Sequence, residues 1–262
     1  MSDTTATEST GPPGPGATAK WLLTAEFLDT CIQRAGGSFQ QGELAYLTMT
    51  SQVENPIRDR VAFEMHKQLR HSRMDVGREL TGLFTRGEHG QFAPRKIDLA
   101  VVEKPRRRRT YTPEPHGVVE FKAIYAHDAR SPGEQNNVYR SVYTDVEKCA
   151  EWSSLVFSVV LLPTLRLVGD RHPSQIMEKI EGKVFADGSK RNMRLVSDEV
   201  TMQEVTKSLS RLGPVRKGLL DAGTDSGVQV AMPYLILGPV PVETYEVLDL
   251  LRLPPKQRGQ SS

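Results

Sequence analysis

The sequence predicts an α/β protein. Segments with apolar residues at three-to-four spacing alternate with short runs rich in β-branched residues, the signatures of amphipathic helices and of strands. The run Leu155-Val156-Phe157-Ser158-Val159-Val160-Leu161-Leu162 is apolar but for Ser158, as expected of a strand covered on both faces. Two other strand-like segments, Lys96-Ile97-Asp98-Leu99-Ala100-Val101-Val102 and Val118-Val119-Glu120-Phe121-Lys122-Ala123-Ile124-Tyr125, carry charges where a plain core strand would place apolar groups.

Taken in order, the chain opens on a Ser/Thr/Gly/Pro-rich stretch over residues 1–18, of a composition expected to be disordered. Ala19 to Ala35 places Trp21, Leu22, Ala25, Leu28, Cys31 and Ile32 at helical spacing, and Gly36-Gly37 ends that helix. A short helix is predicted over Gly42 to Thr50. Asn55 to His71 reads as a helix with Asn55 as N-cap, Pro56 in its first turn, and a stripe of Val61, Met65 and Leu69 flanked by Glu64. Strands follow over Asp75 to Phe84, Arg95 to Glu103 and Gly117 to Ala126. Asn137 to Trp152 is a helix with Val138, Val142, Val146, Cys149 and Ala150 on one side, and Leu155 to Leu162 is the buried strand. Beyond them, Pro173 to Ile180 reads as a helix and Glu181 to Arg194 as a polar excursion. Ser197 to Leu212 is a further helix, capped by Ser197 or Asp198 and stopped by Gly213-Pro214. Val228 to Leu237 is a strand that Pro233 should confine to an edge or distort. Val242 to Leu253 closes the series as a short amphipathic helix.

Charges on buried strands are costly unless paired or bound to a metal. Strand alternation puts Glu120 and Lys122 on one face. In a hairpin register that sets Asp98 opposite Lys122, Asp98 joins them; a slip of one residue would turn it away. Asp98 followed by Glu120-x-Lys122, on consecutive strands after a helix, resembles the PD-(D/E)xK nuclease superfamily. The resemblance covers residues 55–165. It implies a restriction-endonuclease-like three-layer core, ordered helix, three strands, helix, strand, with extra N- and C-terminal elements. Ile97 stands where the superfamily name has proline.

The resemblance also implies the chemistry. Asp98, Glu120 and the carbonyl of Phe121 would hold one Mg²⁺, with Mn²⁺ as a substitute, since such hard ions take oxygen ligands and keep several waters. Lys122 would position the attacking water rather than deprotonate it, because two neighbouring carboxylates favour its charged form. Glu64 resembles the acidic residue that the first helix supplies in many members, with Glu79 as its competitor. The substrate implied is nucleic acid, DNA ahead of RNA. Dimers are common in the fold, so a homodimer is compatible with it. The run Arg106-Arg107-Arg108-Arg109, between Pro105 and Pro113, could neutralise phosphate charge without reading sequence. Each reading has a plainer counterpart: a structural ion-pair cluster for Asp98, Glu120 and Lys122, an exposed helix residue for Glu64, and a solvated loop for the arginines. A catalytically silent copy of the same fold, binding nucleic acid or a protein, is the alternative function.

Composition narrows the field without choosing within it. Thirty-four basic against 32 acidic residues give a net charge of +2, so global charge does not argue for nucleic acid. Cys31 and Cys149 are too few for a disulfide framework and read as reduced thiols. The chain contains no run of roughly 18 apolar residues and no signal-like start, which points to a cytoplasmic protein without membrane contact. It has no glycine-rich phosphate loop, Gly-x-Ser-x-Gly elbow or His-Glu-x-x-His motif. The predicted organisation is a tail over 1–18, a helical extension over 19–54, the core over 55–165, and either an extension of the same domain or an accessory domain over 166–262.

Overall fold

A computed structural model of the chain describes residues 23–86, 92–104, 115–129, 131–168 and 190–240. Within them, helices α1 (Ala25–Gly36), α2 (Glu43–Thr50) and α3 (Glu54–Leu69) precede strands β1 (Met74–Arg86), β2 (Phe92–Glu103) and β3 (Pro115–Ala123). Helix α4 (Pro132–Ala150), β4 (Val156–Leu161) and β5 (Thr164–Leu167) follow. Helix α5 (Lys190–Leu209), β6 (Val215–Asp225) and β7 (Val228–Leu237) complete the series. The protein is mixed α/β. One seven-stranded sheet runs β1-β2-β3-β4-β7-β5, with β6 on β7, and is antiparallel except for β3 beside β4. The elements α3, β1, β2, β3, α4 and β4 occur in the order helix, three strands, helix, strand.

Two apolar clusters sandwich the sheet. On one face, Leu28, Ile32, Ile57, Val61 and Met65 of α1 and α3 pack against Leu99, Val119, Phe121, Phe157 and Val159. On the other, Val138, Val142 and Val146 of α4, with Val205 and Leu209 of α5, cover Ala100, Val118, Val156 and Val160. Alternation along β4 feeds both clusters, and all six of its residues are buried.

Local chemistry explains where the boundaries differ from expectation. Helix α1 starts at Ala25 because Thr24 caps it, its hydroxyl accepting the Phe27 N–H. Helix α3 begins at Glu54, so Asn55 lies inside the first turn instead of capping it. Helix α4 starts five residues before the expected Asn137, because Ser131 and Glu134 form a reciprocal capping box around Pro132. Helix α5 starts at Lys190, ahead of both proposed caps, Ser197 and Asp198.

Strand β7 is not an edge: β4 and β5 flank one side and β6 the other. Pro233 is tolerated there because it falls between the segment paired with β4 and the segment paired with β5. Its carbonyl accepts the Leu162 N–H at that crossover, so the missing N–H of the same residue breaks no ladder bond. Strands β5 and β6 were not anticipated. The segments 173–180 and 242–253 lie outside the described residues, as do residues 1–18.

The buried Tyr234 ties β7 through β6 to α1. Its hydroxyl donates to Asp29 and accepts from Gln33 Nε2 at 2.7 Å. Gly218 faces Tyr234 across the β6–β7 ladder, and a Cβ there would stand 2.0 Å from Tyr234 Cζ. The ring cannot yield without losing its hydrogen bonds. Gly218→Ala is therefore expected to destabilise the fold by about 1–3 kcal/mol, the usual range for overpacking. Urea denaturation checks this, and an unchanged midpoint would contradict it.

Candidate functional site

The site forms where β2 and β3 part. Their ladder pairs Leu99 with Val119 and ends there, two positions off the assumed register. That shift is even; continued one step past the ladder it would keep faces and set Glu120 rather than Lys122 opposite Asp98. The β1–β2 ladder also skips the Glu79/Asp98 step, although Arg78 pairs with Leu99 and Leu80 with Ile97. Glu79 has a positive φ of 48°, a strained conformation for a residue with a side chain. Ile97 and Leu99 should share a face but join opposite cores, so β2 twists at Asp98.

That twist frees Asp98 to turn into the gap between the strands. Beyond Val119, the β3 N–H groups on the β2 side have no strand partner. Phe121 N–H donates to Asp98 Oδ2 at 2.8 Å, and Ala123 N–H donates to Glu54 Oε2 at 2.8 Å. Backbone alternation turns the Phe121 carbonyl toward the same gap. Two carboxylates thus complete a ladder that β2 has left.

Cations from α3, α4 and β3 meet the carboxylates. Arg58, one turn into α3 and 7% exposed in its side chain, donates to Asp98 Oδ1 at 3.1 Å and to Glu79 Oε1 at 3.0 Å. On the α4 face, Glu120 is 5% exposed and its Oε1 lies 2.8 Å from Lys148 Nζ and 3.4 Å from Cys149 Sγ. Lys122 reaches Asp145 on the same helix at 2.7 Å. The α4 residues Asp145 and Lys148 are three apart, so they share a helix face toward β3.

Electrostatics make the carboxylates one group. Burial first, and the Asp98 charge second, push the Glu120 carboxyl up to about 7 against the pull of Lys148. Burial also raises Glu54, with Asp98 adding to the rise and the Ala123 N–H, Lys122 and Arg58 opposing it. Burial works against the Lys148 ammonium, yet its bond to Glu120 holds it above the ordinary lysine range.

The Glu120 shift fixes a pH dependence. A carboxyl raised in the folded state stabilises the fold fully below the ordinary value near 4.5 and loses that contribution as pH climbs to about 7. The shift corresponds to about 3 kcal/mol at most. Glu120→Gln is expected to flatten the stability profile between those limits in metal-free buffer. Denaturation at several pH values checks it, and a variant profile parallel to wild type would contradict it.

Asp98 and the Phe121 N–H meet in the gap, and Glu120 feels the Asp98 charge; Lys122, on the α4 face with Glu120, bonds Asp145 and neither Asp98 nor Glu120. Glu64 lies elsewhere. It is buried midway along α3 beside Lys67, and its charge acts on Cys31 of α1. Glu54 is the α3 carboxylate that couples to Asp98, and no motif in the sequence marks it. Glu79 pairs with Arg58 and Lys96, and Lys96 holds its carboxyl below the usual range. Arg106, Arg107, Arg108 and Arg109 lie outside the described residues.

Oxygen donors alone make up the candidate ligand set, which suits Mg²⁺. Among the described residues no three Asp, Glu, His or Cys side chains are arranged as a ready cage. Mg²⁺ needs none: one or two carboxylates, waters and a substrate phosphate are its usual shell. The two cysteines are free and buried. Among the described residues no helix is long and apolar enough to cross a membrane. The chain matches no protein-family model, no curated protein and no solved structure.

Proposed function

We propose that the protein is a Mg²⁺-dependent nuclease hydrolysing phosphodiester bonds, in DNA ahead of RNA, on a restriction-endonuclease-like core. One observation carries the reading. Glu120 is almost wholly buried, feels the Asp98 charge, and flanks the gap into which Asp98 and the Phe121 backbone turn. Crowding carboxylates at a strand divergence is unfavourable unless a cation is served there. The element order from α3 to β4 supports the same reading.

Asp98 and Glu120 would hold the metal with the Phe121 carbonyl, and Glu54 stands beside them. Such a metal supplies a water of lowered pKa and a counter-charge for the phosphate. A divalent ion facing Glu120 would favour its charged form, so occupancy and ionisation would rise together. Lys122, held by Asp145 and coupled to Glu54, presents an ammonium to the same gap and would orient the water or the phosphate. The 106–109 arginines are proposed to neutralise the nucleic-acid backbone.

A second reading, a catalytically silent protein of this fold that binds nucleic acid or a protein partner, is favoured by one observation. Asp98 already bonds Arg58 and Phe121 N–H, and Glu120 already bonds Lys148. Calorimetric titration with Mn²⁺ separates the two. The nuclease reading expects binding by wild type that is lost in Glu120→Gln; a silent scaffold gives none in either protein.

A further inference from the structure

Helix α4 carries the charges of β3 in reverse. On β3, Glu120 and Lys122 share the α4 face; on α4, Asp145 and Lys148 answer them, with Lys148 against Glu120 at 2.8 Å and Asp145 against Lys122 at 2.7 Å. Lys148 Nζ also donates to the carbonyl of Lys96 at 3.3 Å, two residues before Asp98 on β2. Its ammonium thus bridges the two strands at the mouth of the gap. Of these two lysines, the one in contact with Glu120 is Lys148, not Lys122.

We propose that Lys148 is a positioning residue of the metal site. Its ammonium is the cation that Glu120 holds in the metal-free protein, and a divalent ion must displace it from Oε1 to bind. This inference rests on the nuclease reading above. A carboxylate as buried as Glu120, with Asp98 and Asp145 nearby, needs a counter-charge to keep its place. Lys148 provides one, but a single ammonium at hydrogen-bond distance competes with a divalent ion for the same oxygen. The lysine can leave: its side chain is 21% exposed and ends a flexible four-carbon stem. The freed ammonium then remains beside the gap, where a phosphate would sit. A purely structural ion pair would show no competition with a metal.

Calorimetry with Mn²⁺ alone, on wild type and Lys148→Gln, tests this, paired with thermal unfolding in EDTA and in Mn²⁺. Removing the competing charge is expected to tighten Mn²⁺ binding about tenfold, the worth of one hydrogen bond to a charged group. Lys148→Gln should also melt below wild type in EDTA and gain more on adding Mn²⁺. Binding by wild type with equal or weaker affinity in Lys148→Gln overturns the inference and leaves the nuclease reading standing. No binding by either protein overturns both. Binding only by Lys148→Gln contradicts the nuclease reading, which needs wild type to bind, and overturns the inference with it. Should that variant fail to fold, Lys148→Arg decides. Its guanidinium grips a carboxylate more firmly, so Mn²⁺ affinity should fall several-fold, and unchanged affinity overturns the proposal.

Discussion

Replacing Arg58 by methionine is expected to destabilise the metal-free protein by about 3–5 kcal/mol, the cost of removing one partner from a buried ion pair. Arg58 bonds Asp98, Asp59 and Glu79, but these three do not share the loss equally. The side chains of Asp59 and Glu79 are about 40% exposed and regain water, whereas Asp98 is 16% exposed and lies among like charges. Most of the penalty therefore falls on Asp98. The double variant Arg58→Met/Asp98→Asn should recover the greater part of it. Urea denaturation of the two variants measures this directly. A single-variant loss below about 1 kcal/mol would mean that Asp98 is already well solvated, contrary to the geometry.

The second large effect is on activity. Asp98→Asn is expected to lower Mg²⁺-dependent cleavage by about 10³-fold, equivalent to about 4 kcal/mol of lost transition-state stabilisation. Asparagine retains a side-chain oxygen for the Phe121 N–H, and Arg58 keeps its ion pairs with Asp59 and Glu79, so the loss would reflect charge and ligation rather than folding. Unaltered circular dichroism and melting within a few degrees of wild type verify that separation. A variant that keeps more than about a tenth of wild-type cleavage would remove Asp98 from the reaction.

How much of this was legible in the chain differs from one residue to another. Strand β4 was plain, because a strand buried on both faces has no polar side to disguise it. Strand β6 was hidden: Val-Arg-Lys-Gly-Leu-Leu-Asp-Ala-Gly-Thr-Asp mixes charges and glycines, and its glycines serve tertiary contacts with Tyr234 and α2 that sequence cannot display. A local signal was present at its end, where Ser226 and Gly227 both take positive φ in a two-residue hairpin turn. The capping box that starts α4 at Ser131 lies ahead of the apolar spacing, which begins only at Val138.

The site divides in the same way. Strand spacing put Glu120 and Lys122 on one face, the face that α4 covers, whereas Asp98 leaves that face and turns to Arg58 of α3. The twist at Asp98 could not be read, since it depends on the strained Glu79 across the ladder and on Arg58 from another helix. Periodicity drew attention to Glu64 beside the apolar stripe of α3, yet the carboxylate coupled to the gap is Glu54 in the first turn. Asp145 and Lys148 sit at a helical spacing that could have been matched to the Glu-x-Lys of β3. Only the packing of α4 on the sheet shows that the two pairs meet.

Cleavage of end-labelled single- and double-stranded DNA by wild type, Asp98→Ala and Lys122→Ala, each with Mg²⁺, Mn²⁺ or EDTA, tests the proposed nuclease most directly. The account predicts cutting by wild type with either metal, none in EDTA, and loss in both variants. Equal cutting by all three proteins, or none by folded wild type on either substrate, would contradict it.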